Sequence, residues 1–307
     1  MSYILSFLNV IPSILIFVLI FSVLVLIHEW GHFYTAIKSG VKVLEFGLGF
    51  GKKIWKKQVG EVEYSIGMIP FGGYVKMLGE EEESNDPRSF EQADLWKRMV
   101  ITLAGIFMNL VFTVSAFFVL FSVGTTPILI SEADIARADE QGMVMWSEPD
   151  ANGDKEIVAL QEIKKEFPAS LAFAFTETWR ISGGILDKVA EIPREIITKK
   201  QLPEGLSGPV GIAEATHKII PFGFWALLKL TALLSLSLAI MNLLPIPALD
   251  GGRFFFQLVE LILKPFNIKL NANIENYVHM AGFILLMGLI VAITWNDIVN
   301  LVANIAG

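Results

Sequence analysis

The feature that most constrains this sequence is an ionisable motif that directly follows an apolar stretch. Residues 10–27 are uncharged and lead into His28-Glu29-Trp30-Gly31-His32, an H-E-x-x-H pattern. Two histidines four residues apart lie on one face of an α-helix, about 40° apart in projection, so both imidazoles can reach one Zn²⁺ ion. The adjacent glutamate is then placed to take a proton from a zinc-activated water. Because ionisable side chains are costly in lipid, the pattern indicates a hydrolytic metal site in a membrane.

Three further stretches are apolar enough to cross a bilayer: residues 99–123, 230–249 and 278–295. Each is near or above the roughly 18 residues that the hydrocarbon core requires. The 307-residue chain is 53% hydrophobic, with a mean hydropathy of +0.57, which excludes an ordinary soluble domain. We therefore expect a mainly α-helical membrane protein with about four transmembrane helices. The apolar run 254–263 is short and contains a glutamate, so it predicts a buried or interfacial helix.

The distribution of Lys and Arg predicts the orientation in the membrane. Many basic residues lie between the first and second apolar stretches, and Arg253, Lys264 and Lys269 lie between the third and fourth. The positive-inside rule places both connections in the cytoplasm, with both ends of the chain outside. The first stretch lacks the features of a cleaved signal peptide, so it should remain in the protein. We expect a multi-pass protein of the inner (plasma) membrane, with its site towards the cytoplasm.

Charge and residue content restrict the classes of function. The chain has no cysteine, so a zinc site must use histidine and carboxylate ligands. The net charge of −7 comes largely from acidic loops and identifies no partner. The sequence has no nucleotide-binding glycine loop and no basic-aromatic surface, and it predicts no nucleic-acid partner.

The apolar stretches divide the chain into three parts. Residues 1–123 and 222–307 are two membrane halves, and residues 124–221 form an extracytoplasmic loop. Within that loop, residues 130–167 are polar, acidic and without a periodic pattern. Residues 168–189 have apolar side chains at helical spacing and predict an amphipathic helix. This helix could lie on the membrane surface or pack on the helix bundle, and we favour the surface.

The loop after the first span predicts β-structure. Residues 43–51 and 62–77 combine glycines, aromatic residues and partial alternation, which indicates short strands and tight turns. Phe71-Gly72-Gly73-Tyr74-Val75 has the character of a hairpin rim at membrane depth. Irregular backbone is tolerated there only if it is buried or lines a wet cavity. A cytoplasmic hairpin that merely links two helices is the alternative.

A catalytic zinc normally takes three protein ligands, so a third must come from elsewhere in the chain. Asp250 lies in residues 242–252, where two prolines unwind the third span and two glycines permit a sharp turn. His28 and Asp250 follow apolar runs of similar length in the same direction, so both lie about 27–30 Å into the membrane. We therefore predict Asp250 as the third ligand, and His217 and His279 as interfacial histidines.

Two asparagines in the spans are candidates for substrate contact. Gly105 and Asn109 share a face of the second span, a spacing that is as typical of close helix packing as of substrate binding. Asn242 lies one turn before the unwound segment. Its amide could hold an extended peptide or polarise a scissile carbonyl.

Together these motifs resemble the site-2 protease family of intramembrane zinc metalloproteases, in particular its bacterial RseP-like branch. The resemblance rests on the H-E-x-x-H motif, Gly105-x-x-x-Asn109, Ser207-Gly208-Pro209 and Asn242-x-x-Pro245-x-Pro247-x-Leu249-Asp250-Gly251. The glycine-containing rim is similar to the membrane re-entrant β-loop of that branch. The match covers the chain except for about residues 130–167.

The resemblance implies a zinc endopeptidase that cuts single-span membrane proteins in the bilayer during regulated intramembrane proteolysis. Such enzymes usually act after a first cut has shed the outer domain of the substrate. The resemblance also assigns the roles of individual residues. It makes His28, His32 and Asp250 the ligands of Zn²⁺, Glu29 the general base, and Gly72, Gly73 and Asn242 the groups that hold the substrate as an extended strand.

Two departures from the family pattern affect these expectations. Members of this branch usually carry one or two PDZ domains between the second and third spans, but residues 130–167 are too few and lack the expected peptide-binding loop. Ile106 replaces a common proline after Gly105. A catalytically inactive homologue that acts as a metal-binding partner protein is the alternative, weakened by the intact His28, Glu29 and His32. A metal transporter or a peptidase for soluble peptides lacks the polar sites or aqueous domain it would need.

Overall fold

Four helices of this integral membrane protein are long and apolar enough to cross a bilayer. The computed structural model describes residues 2–80, 84–129, 132–147, 157–199, 207–266 and 272–306. Within these residues the candidate spans are Pro12–Ser39, Leu95–Val123, Phe224–Leu243 and Tyr277–Val299. The expectation of a mainly helical membrane protein with a β-hairpin after its first helix is confirmed.

The elements alternate between long apolar helices and short connecting structures. They are α1 (Ser2–Ser39), β1 (Val43–Val59), β2 (Val62–Met77), α2 (Leu95–Val123), α3 (Glu132–Glu140), β3 (Val144–Trp146), β4 (Ile157–Leu160), α4 (Ala169–Lys199), α5 (Pro209–Ile219), α6 (Phe224–Leu243), α7 (Asp250–Leu263) and α8 (Ala272–Ala306), with short 3₁₀ turns at Ile220–Phe222 and Lys264–Phe266.

The third span differs in its bounds from the apolar stretch 230–249. Helix α6 ends at Leu243, because the prolines that follow remove backbone donors and disfavour helical geometry in the preceding residue. It starts earlier because Lys229 is tolerated within it. The Lys229 ammonium donates to Thr126 O, Thr126 Oγ1 and Pro127 O at 2.8, 2.9 and 3.1 Å. These acceptors offset the cost of burying the charge.

Strands β1 and β2 form an antiparallel sheet in which the chain doubles back more than once. Residues 45–48 of β1 pair with residues 73–76 on one side and with residues 63–66 on the other. Residues 73–76 therefore form an edge segment of the sheet. One face of the sheet packs on α1, where the rings of Phe33 and Phe46 lie 5.1 Å apart. This packing fixes the sheet beside the H-E-x-x-H helix.

A polar cluster on the β-sheet ties the edge segment to its neighbours. Glu45 accepts hydrogen bonds from Ser65 Oγ at 2.6 Å and from the hydroxyl of Tyr74, and Lys53 pairs with it at 2.6 Å. Partial burial opposes ionisation of Glu45, but its contacts with Lys53, Ser65 and Tyr74 hold its pKa below the usual value. The cluster thereby anchors Tyr74, the neighbour of Gly73.

The segment between α2 and α6 contains more structure than its sequence indicates. Residues 130–167 show no periodic pattern, yet they include α3 and the strand pair β3–β4, which are too short to produce one. Residues 130–131 and 148–156 lie outside the described residues. Trp146 Nε1 donates to Asp139 at 2.6 Å, and Arg180 of α4 pairs with Asp134. Tertiary contacts therefore stabilise elements that have little intrinsic propensity.

The amphipathic helix predicted at residues 168–189 is confirmed as α4, which is longer than predicted. Ala174 and Ile181 are fully buried in a core cluster with Phe117 and Phe121 of α2. Trp179, by contrast, is 83% exposed. One face of α4 thus packs on the bundle, the alternative that the sequence made the less favoured one, and the other face is exposed.

Helices α1 and α2 cross at a glycine with no room for a side chain. A Cβ added to Gly31 would lie 2.4 Å from Ala104 O, well inside van der Waals contact. Small residues at such crossings let helix backbones approach closely. This contact sets the separation between the H-E-x-x-H helix and α2.

We expect Gly31→Ala to destabilise the protein. Overpacking costs about 1–3 kcal/mol, more than the gain of up to about 1 kcal/mol from better helix propensity. Thermal unfolding of purified protein in detergent, with a chelator present to remove metal effects, measures the difference. Gly288→Ala is the matched control, since nothing lies within 4 Å of the added Cβ in that span. Equal melting temperatures for the two variants would contradict the steric argument.

Candidate metal centre

The two histidines of the motif point towards α2 and are buried there. His32 Nδ1 lies 2.8 Å from Ile101 O. Since a carbonyl only accepts, Nδ1 carries the proton and Nε2 presents its lone pair to the interior. A histidine held in this way by its other nitrogen is typical of metal sites.

Asp250 reaches the histidines from the second membrane half. It is the first residue of α7, directly after the turn that follows α6. Its Oδ2 atom lies 2.9 Å from His28 Nε2 and 3.3 Å from His32 Nε2. The two Nε2 atoms are 3.1 Å apart. The structure therefore brings together three donor atoms from two segments that are more than 200 positions apart in the chain.

The donor set fits a zinc ion in both chemistry and spacing. Zinc binds imidazole nitrogen and carboxylate oxygen at about 2.0–2.2 Å in tetrahedral geometry, which places ligand atoms about 3.3 Å apart. The three observed separations are close to this value. Gly105 leaves the space that the two imidazole rings occupy, because a Cβ at this position would lie 2.4 Å from His32 Nε2 and 2.7 Å from His28 Nε2.

Asn109 supplies a second indication that the site is built for a metal. Its side chain is fully buried, with Nδ2 3.4 Å from His28 Nδ1. Its Oδ1 is buried without a hydrogen-bond partner. With the amide oxygen and nitrogen exchanged, His28 Nδ1–H can donate to Oδ1. His28 Nε2 is then left free as a ligand atom, and Nδ2 takes the buried position that has no partner among the described residues.

Glu29 faces a cavity of about 250 Å³ beside the donor cluster. The cavity is also lined by the residues that the sequence predicts to contact substrate, which are Gly72, Gly73, Asn109 and Asn242. A Cβ added to Gly73 would lie 2.8 Å from Val25 Cγ1 and 3.1 Å from Glu29 Cγ, so the edge of the sheet contacts α1 closely. The complete lining is Val25, His28, Glu29, Gly72, Gly73, Asn109, Leu238, Asn242, Ala248, Leu249 and Asp250.

The other two histidines lie outside the donor cluster. His217 Nδ1 is 2.7 Å from Ser13 Oγ. Ser13 is about 22 Å along α1 from His28 at 1.5 Å per residue. His279 Nδ1 accepts a hydrogen bond from the backbone N–H of Ala248 at 3.0 Å. Sequence reasoning missed this contact and the Ile101 carbonyl, because a backbone group leaves no mark in the sequence.

Comparison with known proteins finds zinc metalloproteases among the relatives of this chain. The model of peptidase family M50 matches residues 16–289. A Clostridium perfringens protein named as a zinc metalloprotease is 32% identical over 92% of this chain and 97% of its own length. A Clostridium acetobutylicum protein with the same designation is 31% identical, covering 94% and 97%.

A longer relative is the zinc metalloprotease RasP of Oceanobacillus iheyensis. It is 25% identical over 94% of this chain and 99% of its own length. That alignment runs over 428 residues, whereas this chain has 307. RasP therefore contains segments without a counterpart here.

We expect Gly105→Ala to lose metal, because the added methyl group would occupy the space that the two imidazoles need. Zinc content per protein after purification, measured by mass spectrometry, should fall to a small fraction of the wild-type value. Gly183→Ala is the control, since nothing lies within 4 Å of its added Cβ. Full zinc occupancy in Gly105→Ala would show that the two rings do not form the site.

Proposed function

Because this chain belongs to peptidase family M50, and is a membrane-embedded zinc metalloprotease, we propose that His28, His32 and Asp250 hold its zinc ion and that Glu29 is its general base. The observation that carries this assignment is the convergence of the three donor atoms at the wall of the cavity that contains Glu29. The intact set of donors and base argues against an inactive binding protein.

A bound zinc ion supplies Lewis acidity, which polarises a peptide carbonyl and lowers the pKa of water. The chain supplies the proton transfers. Glu29 borders the cavity one residue from His28, so it can accept the proton of an attacking water and deliver it to the leaving amine. Asn109 orients His28 in this scheme. Its assignment to substrate binding, made from the sequence, stays a prediction.

The protease acts on membrane proteins, and we propose single-span proteins as its substrates. Peptide hydrolysis requires an extended backbone, and the edge segment at residues 73–76 can accept one as an additional strand. Gly72 and Gly73 allow a substrate backbone to approach, and Asn242 lies across the same cavity with an amide that can hold it. The cut is then made in a locally unwound part of the span.

We also propose the arrangement in the membrane. The basic residues between α1 and α2 and around α7 favour a cytoplasmic location for both connections. The metal centre then lies towards the cytoplasmic face of the inner (plasma) membrane, and both ends of the chain lie outside. Residues 1–123 and 222–307 contribute the catalytic halves, and residues 124–221 form the outer segment.

Two substitutions separate metal binding from proton transfer. Glu29→Gln should retain zinc and lower cleavage of a membrane-inserted reporter at least 100-fold, because it removes the base and leaves the ligands. Asp250→Ala should lose both zinc and cleavage, and His217→Ala should keep both. Zinc content and reporter cleavage are measured on the same preparations. Near-normal turnover by Glu29→Gln, or full zinc in Asp250→Ala, would refute the corresponding assignment.

Substrate spans that unwind easily should be cut faster. A glycine in a helix costs about 1 kcal/mol relative to alanine, so each one raises the unwound population roughly fivefold. Reporters with two glycines in the cytoplasmic half of the span are compared with an all-leucine span and with one that has both glycines in the outer half. Equal cleavage of the three would contradict an unwinding requirement. A parallel series with outer domains of increasing size tests whether bulk is excluded.

A further inference from the structure

The turn that precedes Asp250 has an unfavourable backbone conformation. The backbone N–H of Leu249 donates to Ile246 O at 3.1 Å, and Ala248 has a φ of +80°. With Pro247 before it, Ala248 occupies the third position of a type II turn, where glycine is usual. A side chain at positive φ is strained, so the surrounding structure must hold this turn in place.

His279 of the last membrane helix makes the contact that holds it. The Ala248 N–H points away from its own turn and donates to His279 Nδ1 at 3.0 Å. A backbone N–H only donates, so His279 is neutral and carries its proton on Nε2. That nitrogen is buried without a hydrogen-bond partner among the described residues, and Oε1 of Glu275 lies 3.9 Å from it. Among the described residues, the His279 ring is therefore hydrogen-bonded to the turn alone.

The same face of α8 also packs directly against the turn. Gly282 lies three residues after His279, on the same side of the helix. A Cβ at Gly282 would lie 2.4 Å from Pro247 Cβ and 2.7 Å from Pro247 O. The ring of Phe256 on α7 lies 5.5 Å from the His279 ring. The last span thus contacts the turn at two consecutive residues, Pro247 and Ala248.

The residues of this turn and those just before it also pack against the start of α7. A Cβ at Gly251 would lie 2.2 Å from Leu244 O, and one at Gly252 would lie 2.4 Å from Ile246 O. The turn and the first residues of α7 therefore form one compact unit, and Asp250 lies inside it. A change in the conformation of Ala248 would move the carboxylate relative to the two histidines on α1.

We propose that His279 is a positioning residue for the metal centre, which holds the strained Ala248 turn and so aims the carboxylate of Asp250 at His28 and His32. This inference rests on the proposed role of Asp250 as a zinc ligand. The last membrane helix contributes no donor atom to the cluster. In this arrangement it nevertheless contributes to the affinity for zinc.

The test measures zinc affinity by competition with a chromogenic chelator, on full-length protein purified in detergent. His279→Asn places an amide oxygen near the position of Nδ1 and should stay within about threefold of wild type. His279→Gln places its amide near Nε2, out of reach of the Ala248 N–H, and should weaken zinc binding about tenfold or more, as loss of an indirect support for a ligand does. His279→Ala should behave like His279→Gln.

A compensating substitution separates positioning from general packing. Glycine adopts positive φ without steric cost, so Ala248→Gly in the His279→Gln background should recover most of the lost zinc affinity. Ala248→Gly alone should bind zinc like wild type. A ring that matters only for packing would not respond to Ala248→Gly. Thermal unfolding in chelator shows whether each variant is folded without metal.

The outcomes distinguish this inference from the proposed function. Wild-type zinc affinity in His279→Gln, or equal losses in His279→Asn and His279→Gln without recovery by Ala248→Gly, would overturn the positioning role. If Asp250→Ala binds zinc like wild type, the metal site itself is wrong. If Asp250→Ala loses zinc while His279→Gln does not, the metal site stands and the positioning role is refuted.

Discussion

The contact between two histidine rings and the backbone of Gly105 is the interaction on which the rest of the site depends. Because α2 has no side chain there, the imidazoles of His28 and His32 lie against its backbone and away from lipid. Burying polar rings is unfavourable unless their nitrogens find partners. Ile101 O, Asn109 and Asp250 are those partners, and the need for them explains why three separate segments converge on one point.

Helix α2 makes polar contacts with α6 and α7 through both its backbone and its side chains. The carbonyl of Asn109 accepts hydrogen bonds from Thr113 Oγ1 within α2 and from Ser235 Oγ of α6, each at 2.9 Å. Polar contacts between buried membrane helices have few competitors in lipid. On α7, Gln257 Nε2 donates to Thr102 Oγ1 at 2.9 Å. The helix that orients the histidines therefore also places the helices that carry Asn242 and Asp250.

The β-sheet gives a membrane protease what a helix bundle lacks, which is an open backbone edge beside the metal centre. Gly73 joins that edge to the cavity, and the cluster around Glu45 stiffens it from the opposite face of the sheet. In the proposed function, this edge and the cavity hold the substrate.

By itself, the sequence determined the class of protein and most of the chemistry. Apolar stretches, the H-E-x-x-H spacing and the position of Asp250 after two prolines predicted a membrane zinc site, because these signals are local and follow from helix geometry and lipid solvation. Tertiary structure alone decided what supports that site. The space at Gly105, the Ile101 carbonyl and the contact of His279 with Ala248 all depend on contacts between distant segments. These contacts are made by backbone groups or depend on space that a side chain would fill. The order of side chains in the sequence does not reveal either of them.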